Sequence, residues 1–178
     1  YFIKKKMIPL LKIKDWKFDK KSIFHKNQKH FSIIGVKVQT DAREINEWEQ
    51  PIMQEQKLGL SGFLIKNVNS TPHYLVSFSL QPGLKYPGLS CTVRTSNLKN
   101  CLNNPNYTDL MKLHLKKYFI YNTCGKIKYS TIHSDEGGRF FHSQNKYIIV
   151  QIGANEKIKI NNNYIWMSHN QVLHYIKK

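Results

Sequence analysis

Residues 60–95 read L-S-G-F-L-I-K-N-V-N-S-T-P-H-Y-L-V-S-F-S-L-Q-P-G-L-K-Y-P-G-L-S-C-T-V-R-T, and this stretch decides the fold class. It holds three apolar runs, at 60–68, 73–80 and 89–95, each of strand length and rich in aromatic or β-branched residues. The turn formers at 67–72 predict a hairpin with a longer loop between the first two runs. The second link carries two Pro-Gly steps, Pro82-Gly83 and Pro87-Gly88, which stiffen an irregular loop and let backbone approach a ligand.

Upstream, residues 30–40 are β-rich through Phe31, Ile33, Gly35, Val36 and Val38, and a turn follows at 40–42. Residues 1–30 alternate apolar anchors with lysines without a sustained period, so they are expected to form an arm packed on a single module spanning 31–178. Downstream, Asn106 is placed to cap a helix running to about Phe119, with Asp109 in its first turn. Residues 126–133 are strand-like, 134–138 form an acidic Gly-rich turn, and Phe140-Phe141 with 147–152 supply a hairpin partner. A polar turn at 161–163 precedes a run at 164–167, and a helix over 168–176 is capped by Ser168. The expected architecture is α+β, with strands in one or two sheets and two helices.

With 178 residues and 40% hydrophobic content, one core is the expectation. Cys91, Cys101 and Cys124 are odd in number and form no close pair, which points to reduced thiols in an intracellular protein. No apolar run nears the roughly 20 residues that cross a bilayer, so no membrane span is expected. Lys4, Lys5 and Lys6 precede only the short apolar stretch 7–11, too brief for a secretory signal; the sequence opens at Tyr1 without an initiator Met, which leaves upstream residues and a removed signal open.

The net charge of +17 raises nucleic acid as a partner. Only Arg43, Arg94 and Arg139 among the 28 cations are arginines, however, and the guanidinium fork is the group that reads bases and phosphates bidentately. The lysines are scattered among Asn and Ile, so a solvated surface is preferred to a nucleic-acid patch. None of the 8 histidines forms a helical ligand pair with a nearby glutamate, and no G-x-S-x-G elbow, P-loop or dinucleotide fingerprint occurs. Neither a metal nor a cofactor is expected.

The segment S-D-E-G-G-R-F at 134–140 places Asp135, Glu136 and Arg139 around two glycines. Composition favours a charged hairpin turn; the sharper alternative is a substrate turn in which backbone N–H groups and Arg139 face anionic oxygens while a carboxylate meets sugar hydroxyls. Trp48 and Trp166 suit core packing, or stacking on a nucleobase.

Several motifs in order resemble one module of the NDP-hexose 2,3-dehydratase family, over about 160 residues. They are I-P-L at Ile8, Trp16, H-x4-H-F at His25, E-W-E-Q-P-I at Glu47, L-G-L-S-G at Leu58, H-Y-L-V at His73 and Q-P-G at Gln81. L-S-C-T-V at Leu89, S-D-E-G-G-R-F at Ser134, Asn145, Trp166 and Gln171 continue the series. The resemblance implies a Nudix-like mixed β-sheet module flanked by helices, and no Nudix box is present to hold magnesium. It implies a cytoplasmic enzyme of deoxysugar biosynthesis acting on a dTDP-linked 4-keto-6-deoxyhexose, with no cofactor because the ketone serves as electron sink. Family members carry two such modules, so a homodimer of this chain is expected.

On that basis the acid and base are sought among Asp135, Glu136 and His133, with Arg94 and Arg139 on the diphosphate. Asn97 and Asn145 are assigned to sugar or base edges, and His73, Gln81 and Ser134 to substrate binding. The chain departs from the family pattern where Ser77 to Gly83 replaces Q-A-K-x-E-P-G, where Arg94 to Asn97 shortens Q-A-T-R-S-N, and where Ser134 to Gly137 replaces S-E-Q-G. Other sugar-nucleotide enzymes, a noncatalytic NDP-sugar-binding module and a basic nucleic-acid-binding protein are the alternatives.

Overall fold

The run at 60–68 becomes β5 (Gly59–Val68), the middle strand of a mixed sheet, and its burial follows from having a neighbour on each side. The computed structural model describes residues 4–27, 30–55, 57–81, 83, 85–99, 115–135 and 137–176. They fall into two compact units. The larger takes its described residues from Tyr1–Lys5, Leu58–His133 and Asn145–Lys178, the smaller from Lys6–Lys57 and Ser134–Gln144. The smaller unit thus includes most of the segment read as an arm.

In the larger unit, β5 runs antiparallel to β6 (Thr71–Ser79) and parallel to β11 (Gln144–Gln151). β12 (Tyr164–Ser168) and β9 (Lys126–Ser134) complete the order β12-β6-β5-β11-β9. Leu60, Leu64, Leu75, Ile148 and Val150 are buried at the centre, where each such side chain stabilises the fold by about 1.5–3 kcal/mol. The short helix α1 (Lys116–Phe119) adds Tyr118 and Phe119 to this core. Gly62 is the residue that admits the ring: a Cβ there would stand 2.6 Å from Phe119. The rest of the expected helix, from Asn106, lies outside the described residues.

The β5–β6 loop is tighter than the turn formers predict. Asn69 and Ser70 take φ of 48° and 62°, which makes a two-residue type I′ hairpin with Val68 opposite Thr71. The run at 89–95 also differs from expectation, because it divides into β7 (Gly88–Ser90) and β8 (Val93–Thr95). β5 and β6 pair with each other only from Leu64 and Leu75 to the hairpin; beyond that point β8 pairs with β5 and β7 with β6. Thr92 stands in the fork. Its hydroxyl accepts from the Leu64 N–H at 2.9 Å and donates to the Leu75 carbonyl, spanning the gap the strands leave.

The C-terminal helix α2 (His169–Ile176) begins as the sequence predicts. The Gln171 N–H donates to Ser168 Oγ at 3.3 Å while the Ser168 N–H donates to Gln171 Oε1 at 2.8 Å, a reciprocal cap. Trp166 packs against the core, with the Lys66 ammonium 4.5 Å from its ring centre.

The smaller unit is a five-stranded sheet of order β1-β2-β3-β4-β10. β1 (Trp16–Phe18) and β2 (Ser22–His25) form a hairpin within the segment whose lysines hide a period. Trp16 packs against His25, His30 and Phe31 at ring distances of 5.9, 6.2 and 5.2 Å, which accounts for the H-x4-H-F motif as packing. β3 (Ser32–Gln39) pairs with β4 (Glu47–Gln54), and β10 (Phe140–Phe141) adds parallel to the end of β4. Phe140-Phe141 is therefore not part of a hairpin with 147–152 as expected; the turn before it carries the pair to β4. Pro51 sits in β4 ahead of the two residues that pair with β10, where its missing N–H costs no bond to that strand. Among the described residues no helix is long and apolar enough to cross a membrane.

Candidate functional site

Strand periodicity builds a cavity within the smaller unit. Val36 and Val38 on β3 and Trp48, Gln50 and Ile52 on β4 point to one face, in the register Val36 opposite Gln50 and Val38 opposite Trp48. Described residues of the segment 134–144 cover part of that face and leave a cavity of about 700 Å³ that is also lined by Arg43, Asp135, His142 and Ser143. Two bonds hold the cover. Gln50 Nε2 donates to the Gly138 carbonyl at 2.9 Å, across 88 residues of sequence, and the Met53 N–H donates to the Arg139 carbonyl at 2.9 Å. Trp48 Nε1 donates to Gln50 Oε1 at 2.8 Å, so the indole is oriented by the same side chain that holds the turn.

The cavity combines groups of different chemistry. The Arg43 guanidinium lies 5.7 Å from the Trp48 ring centre, a cation and an aromatic face together. Asp135 is half-buried, and its backbone N–H donates to the Ser143 carbonyl at 2.9 Å. His142 takes a left-handed φ of 54° and stacks on Phe141, ring centres 4.2 Å apart. On the opposite face of β4, hydrogen bonds from Lys37 and then Gln39 hold the exposed Glu47 carboxyl below its usual range.

A second cavity, of about 360 Å³, lies at the fork in the larger unit and is lined by Ser77, Ser79, Thr92, Arg94 and Asn163 among others. Here the polar groups answer one another. Ser77 Oγ donates to the Cys91 carbonyl at 2.8 Å, and Cys91 Sγ donates to the Val93 carbonyl at 3.0 Å.

The residues singled out in the sequence thus divide between the units. Ser134 and Asp135 line the cavity of the smaller unit, and Arg94 lines that of the larger. Arg139 is exposed with its guanidinium 5.9 Å from the Phe140 ring centre, and Glu136 lies outside the described residues. His133 is exposed on β9, hydrogen-bonded through Nε2 to the Tyr129 hydroxyl at 3.1 Å. His73 Nδ1 donates to the Thr71 carbonyl at 2.9 Å, and Gln81 is exposed just past β6. Asn97 is buried, its N–H donating to Thr95 Oγ1 at 3.1 Å. Asn145 Nδ2 donates to Ser61 Oγ at 2.8 Å, tying β11 to β5. Sequence reasoning missed Arg43, Gln50, His142 and Ser143 as parts of this site; the signal that leads to Gln50 is the E-W-E-Q-P-I motif, read as a strand with one face inward.

A model of the NDP-hexose 2,3-dehydratase family matches residues 2–178. The chain belongs to that family. It is 29% identical over 170 residues to the dTDP-4-dehydro-6-deoxy-alpha-D-glucopyranose 2,3-dehydratase of Streptomyces violaceoruber, covering 93% of this chain and 36% of that protein. It is 27% identical over 175 residues to the enzyme of the same name from Amycolatopsis orientalis, covering 96% and 35%. The chain therefore spans about a third of the length of the curated relatives it matches. Solved structures similar to it include the NUDIX domain of Shewanella oneidensis NrtR complexed with ADP ribose, with TM-score 0.40, 13% identity and coverage of 67% of this chain and 77% of that one. A Nudix hydrolase from M. smegmatis, RenU, has TM-score 0.38 and 10% identity, covering 78% and 83%. Of the positions where this chain departs from the family pattern, Ser77 and Ser79 line the cavity at the fork.

Proposed function

We propose that the cavity of the smaller unit holds a nucleotide-activated 4-keto-6-deoxyhexose, dTDP-linked, and that the chain eliminates water across C2 and C3. The observation that carries this reading is the hydrogen bond from Gln50 to Gly138, which joins two family motifs around Trp48, Arg43 and Asp135. In the proposed reaction the C4 carbonyl acidifies the C3 proton and Asp135 removes it. The C2 hydroxyl then leaves as water with a proton from a general acid, and the enol tautomerises to the 3,4-diketone. Glu136 is the candidate for that acid; His133, the other residue sought for acid–base work in the sequence, belongs to the larger unit. Arg43 faces the diphosphate in this reading, Trp48 the base, and Ser134 the sugar, while the exposed Arg139 stands outside the cavity's lining. Arg94 with the neighbouring Asn97, and His73, Gln81 and Asn145, the other residues singled out in the sequence, belong to the larger unit.

The test is incubation of the purified chain with dTDP-4-keto-6-deoxyglucose and a 3-ketoreductase, which should yield a 2-deoxy sugar nucleotide. The replacements at Ser77, Ser79 and Gln81 favour a second reading, a binding module without turnover; a ligand-dependent thermal shift with no 2-deoxy product would select it. The proposal also makes the chain a cytoplasmic homodimer, on the expectation that family members carry two such modules and that a second copy supplies the other. Light scattering should then give twice the chain mass of 21.0 kDa.

A further inference from the structure

Residues 6–14 of the smaller unit read K-M-I-P-L-L-K-I-K, and none of them is buried. Met7 is 97% exposed and Leu11 83%, and Ile8 and Leu10 are exposed as well. Ile8 to Leu10 is the I-P-L motif, which lies outside the lining of the cavity. The segment nevertheless has a definite form. Pro9, with φ of −55°, opens a 3-10 turn over Leu10–Lys12, closed by the Lys12 N–H donating to the Pro9 carbonyl at 2.9 Å and the Ile13 N–H to the Leu10 carbonyl at 3.2 Å. Holding apolar side chains in water is unfavourable in proportion to their area, so four of them within five residues mark an interaction surface.

The charges around the patch narrow what covers it. Lys6, Lys12 and Lys14 flank the apolar residues and form no ion pair among the described residues, and no acidic residue occurs in the sequence before Asp15. The complement is apolar surface beside carboxylates. A nucleic acid offers only half of that, since its phosphates would take the lysines and leave Met7, Leu10 and Leu11 in water. The chain itself offers both halves. In the β3–β4 turn Asp41 and Glu44 are exposed together with Ile45, which is 66% exposed. That turn is also preformed, with the Thr40 N–H donating to the Asn46 carbonyl at 2.9 Å and the Ala42 N–H to Thr40 Oγ1 at 3.1 Å. Its one cation, Arg43, lies against the Trp48 ring, and neither Asp41 nor Glu44 has an ion-pair partner among the described residues. Both surfaces are exposed within one copy, so they can cover each other only between copies.

We propose that the arm at 6–14 of one copy docks on the β3–β4 turn of a second copy, with Leu10 and Leu11 against Ile45 and with Lys12 and Lys14 toward Asp41 and Glu44. The second copy returns the same contact, so the pair closes as a two-fold dimer. The apolar residues supply the attraction, and the opposite charges set which surfaces meet. The proposal rests on the homodimer reading and names the interface that forms it.

The experiment measures dimer dissociation of the full chain by sedimentation velocity. It compares the unchanged chain with Leu11→Asp, with Asp41→Lys plus Glu44→Lys, and with Lys12→Glu plus Lys14→Glu. The unchanged chain should dimerise, and more weakly as NaCl is raised, because exposed charge pairs are screened. Leu11→Asp and each charge-reversed chain should raise the dimer Kd about tenfold or more, with circular dichroism unchanged because all these side chains are exposed. Mixing the two charge-reversed chains should restore the dimer, since one of its contacts then has the original signs and the other has both signs reversed. If Leu11→Asp dimerises like the unchanged chain, or the mixture stays monomeric, the proposal falls and the homodimer reading stands. A monomeric unchanged chain overturns both. If that monomer sediments with phosphatidylglycerol vesicles and Leu11→Asp does not, the arm is a lipid contact and the proposal is overturned in its favour.

Discussion

The fork in the larger unit and the cavity in the smaller unit are both lined by small polar side chains, yet they spend them differently. At the fork, Thr92 bonds to two strands, Ser77 bonds to Cys91, and Cys91 bonds to Val93. In the core behind it the Tyr118 hydroxyl donates to the Glu156 carboxylate. In the cavity of the smaller unit, the buried Ser143 hydroxyl has no such partner among the described residues, while Trp48, Arg43 and Asp135 line the open volume. A region whose hydrogen bonds close among themselves is a joint of the fold. One whose aromatic, cationic and acidic side chains line open volume has surface left for a ligand.

This contrast can be broken at several points. The largest effect is expected from Asp135→Asn, which should lower turnover by about 10²–10⁴-fold, the usual weight of a positioned base, in the coupled 3-ketoreductase assay. Its denaturant midpoint should stay close to that of the unchanged chain. Thr92→Val strips the fork of its bridge and leaves the Leu64 N–H and Leu75 carbonyl unanswered, so urea unfolding should show a loss of about 2–3 kcal/mol with dTDP-glucose affinity preserved.

Gly62→Ala sharpens the same point through packing rather than hydrogen bonding. The added methyl meets the Phe119 ring and should cost about 1–3 kcal/mol by urea unfolding. The smallest effect is expected at Tyr118, the counterpart of Ser143 in the larger unit. Tyr118→Phe should cost about 1 kcal/mol by leaving Glu156 without its donor, whereas Ser143→Ala should cost nothing. Burial, and then the bond to Glu156, push the Tyr118 phenol above its ordinary value. That contribution is therefore complete below the unfolded tyrosine value of about 10 and is lost as pH rises through the folded value. Alkaline unfolding curves should fall less steeply above about pH 10 in Tyr118→Phe than in the unchanged chain.

Much of the sheet was legible in the sequence because the strands carry their own pattern. The runs at 60–68 and 73–80, the strand at 126–133 and the Ser168-capped helix are all where periodicity and capping place them. The failures have physical causes. Asn69 and Ser70 tolerate positive φ, so a cluster of turn formers collapses to two residues. Thr92 looks like any β-branched strand residue until its hydroxyl is seen to replace a rung of the ladder. Lysines alternating with Trp16, Phe18 and Ile23 obscure a hairpin, and Pro51 obscures β4. The candidate site was half legible: the acidic turn declares itself by composition, and Asp135 and Ser134 do line a cavity. Its other wall is a strand face contributed from far upstream, and only tertiary pairing brings Trp48 and Gln50 beneath that turn.

The central claim is that the cavity of the smaller unit is where a sugar nucleotide binds, and a crystal structure of the chain with dTDP-glucose tests it most directly. The account predicts the hexose against Asp135, with the diphosphate toward Arg43 and the thymine at Trp48. Ligand density at the fork beside Ser77 and Arg94, with the smaller unit's cavity empty, would contradict it.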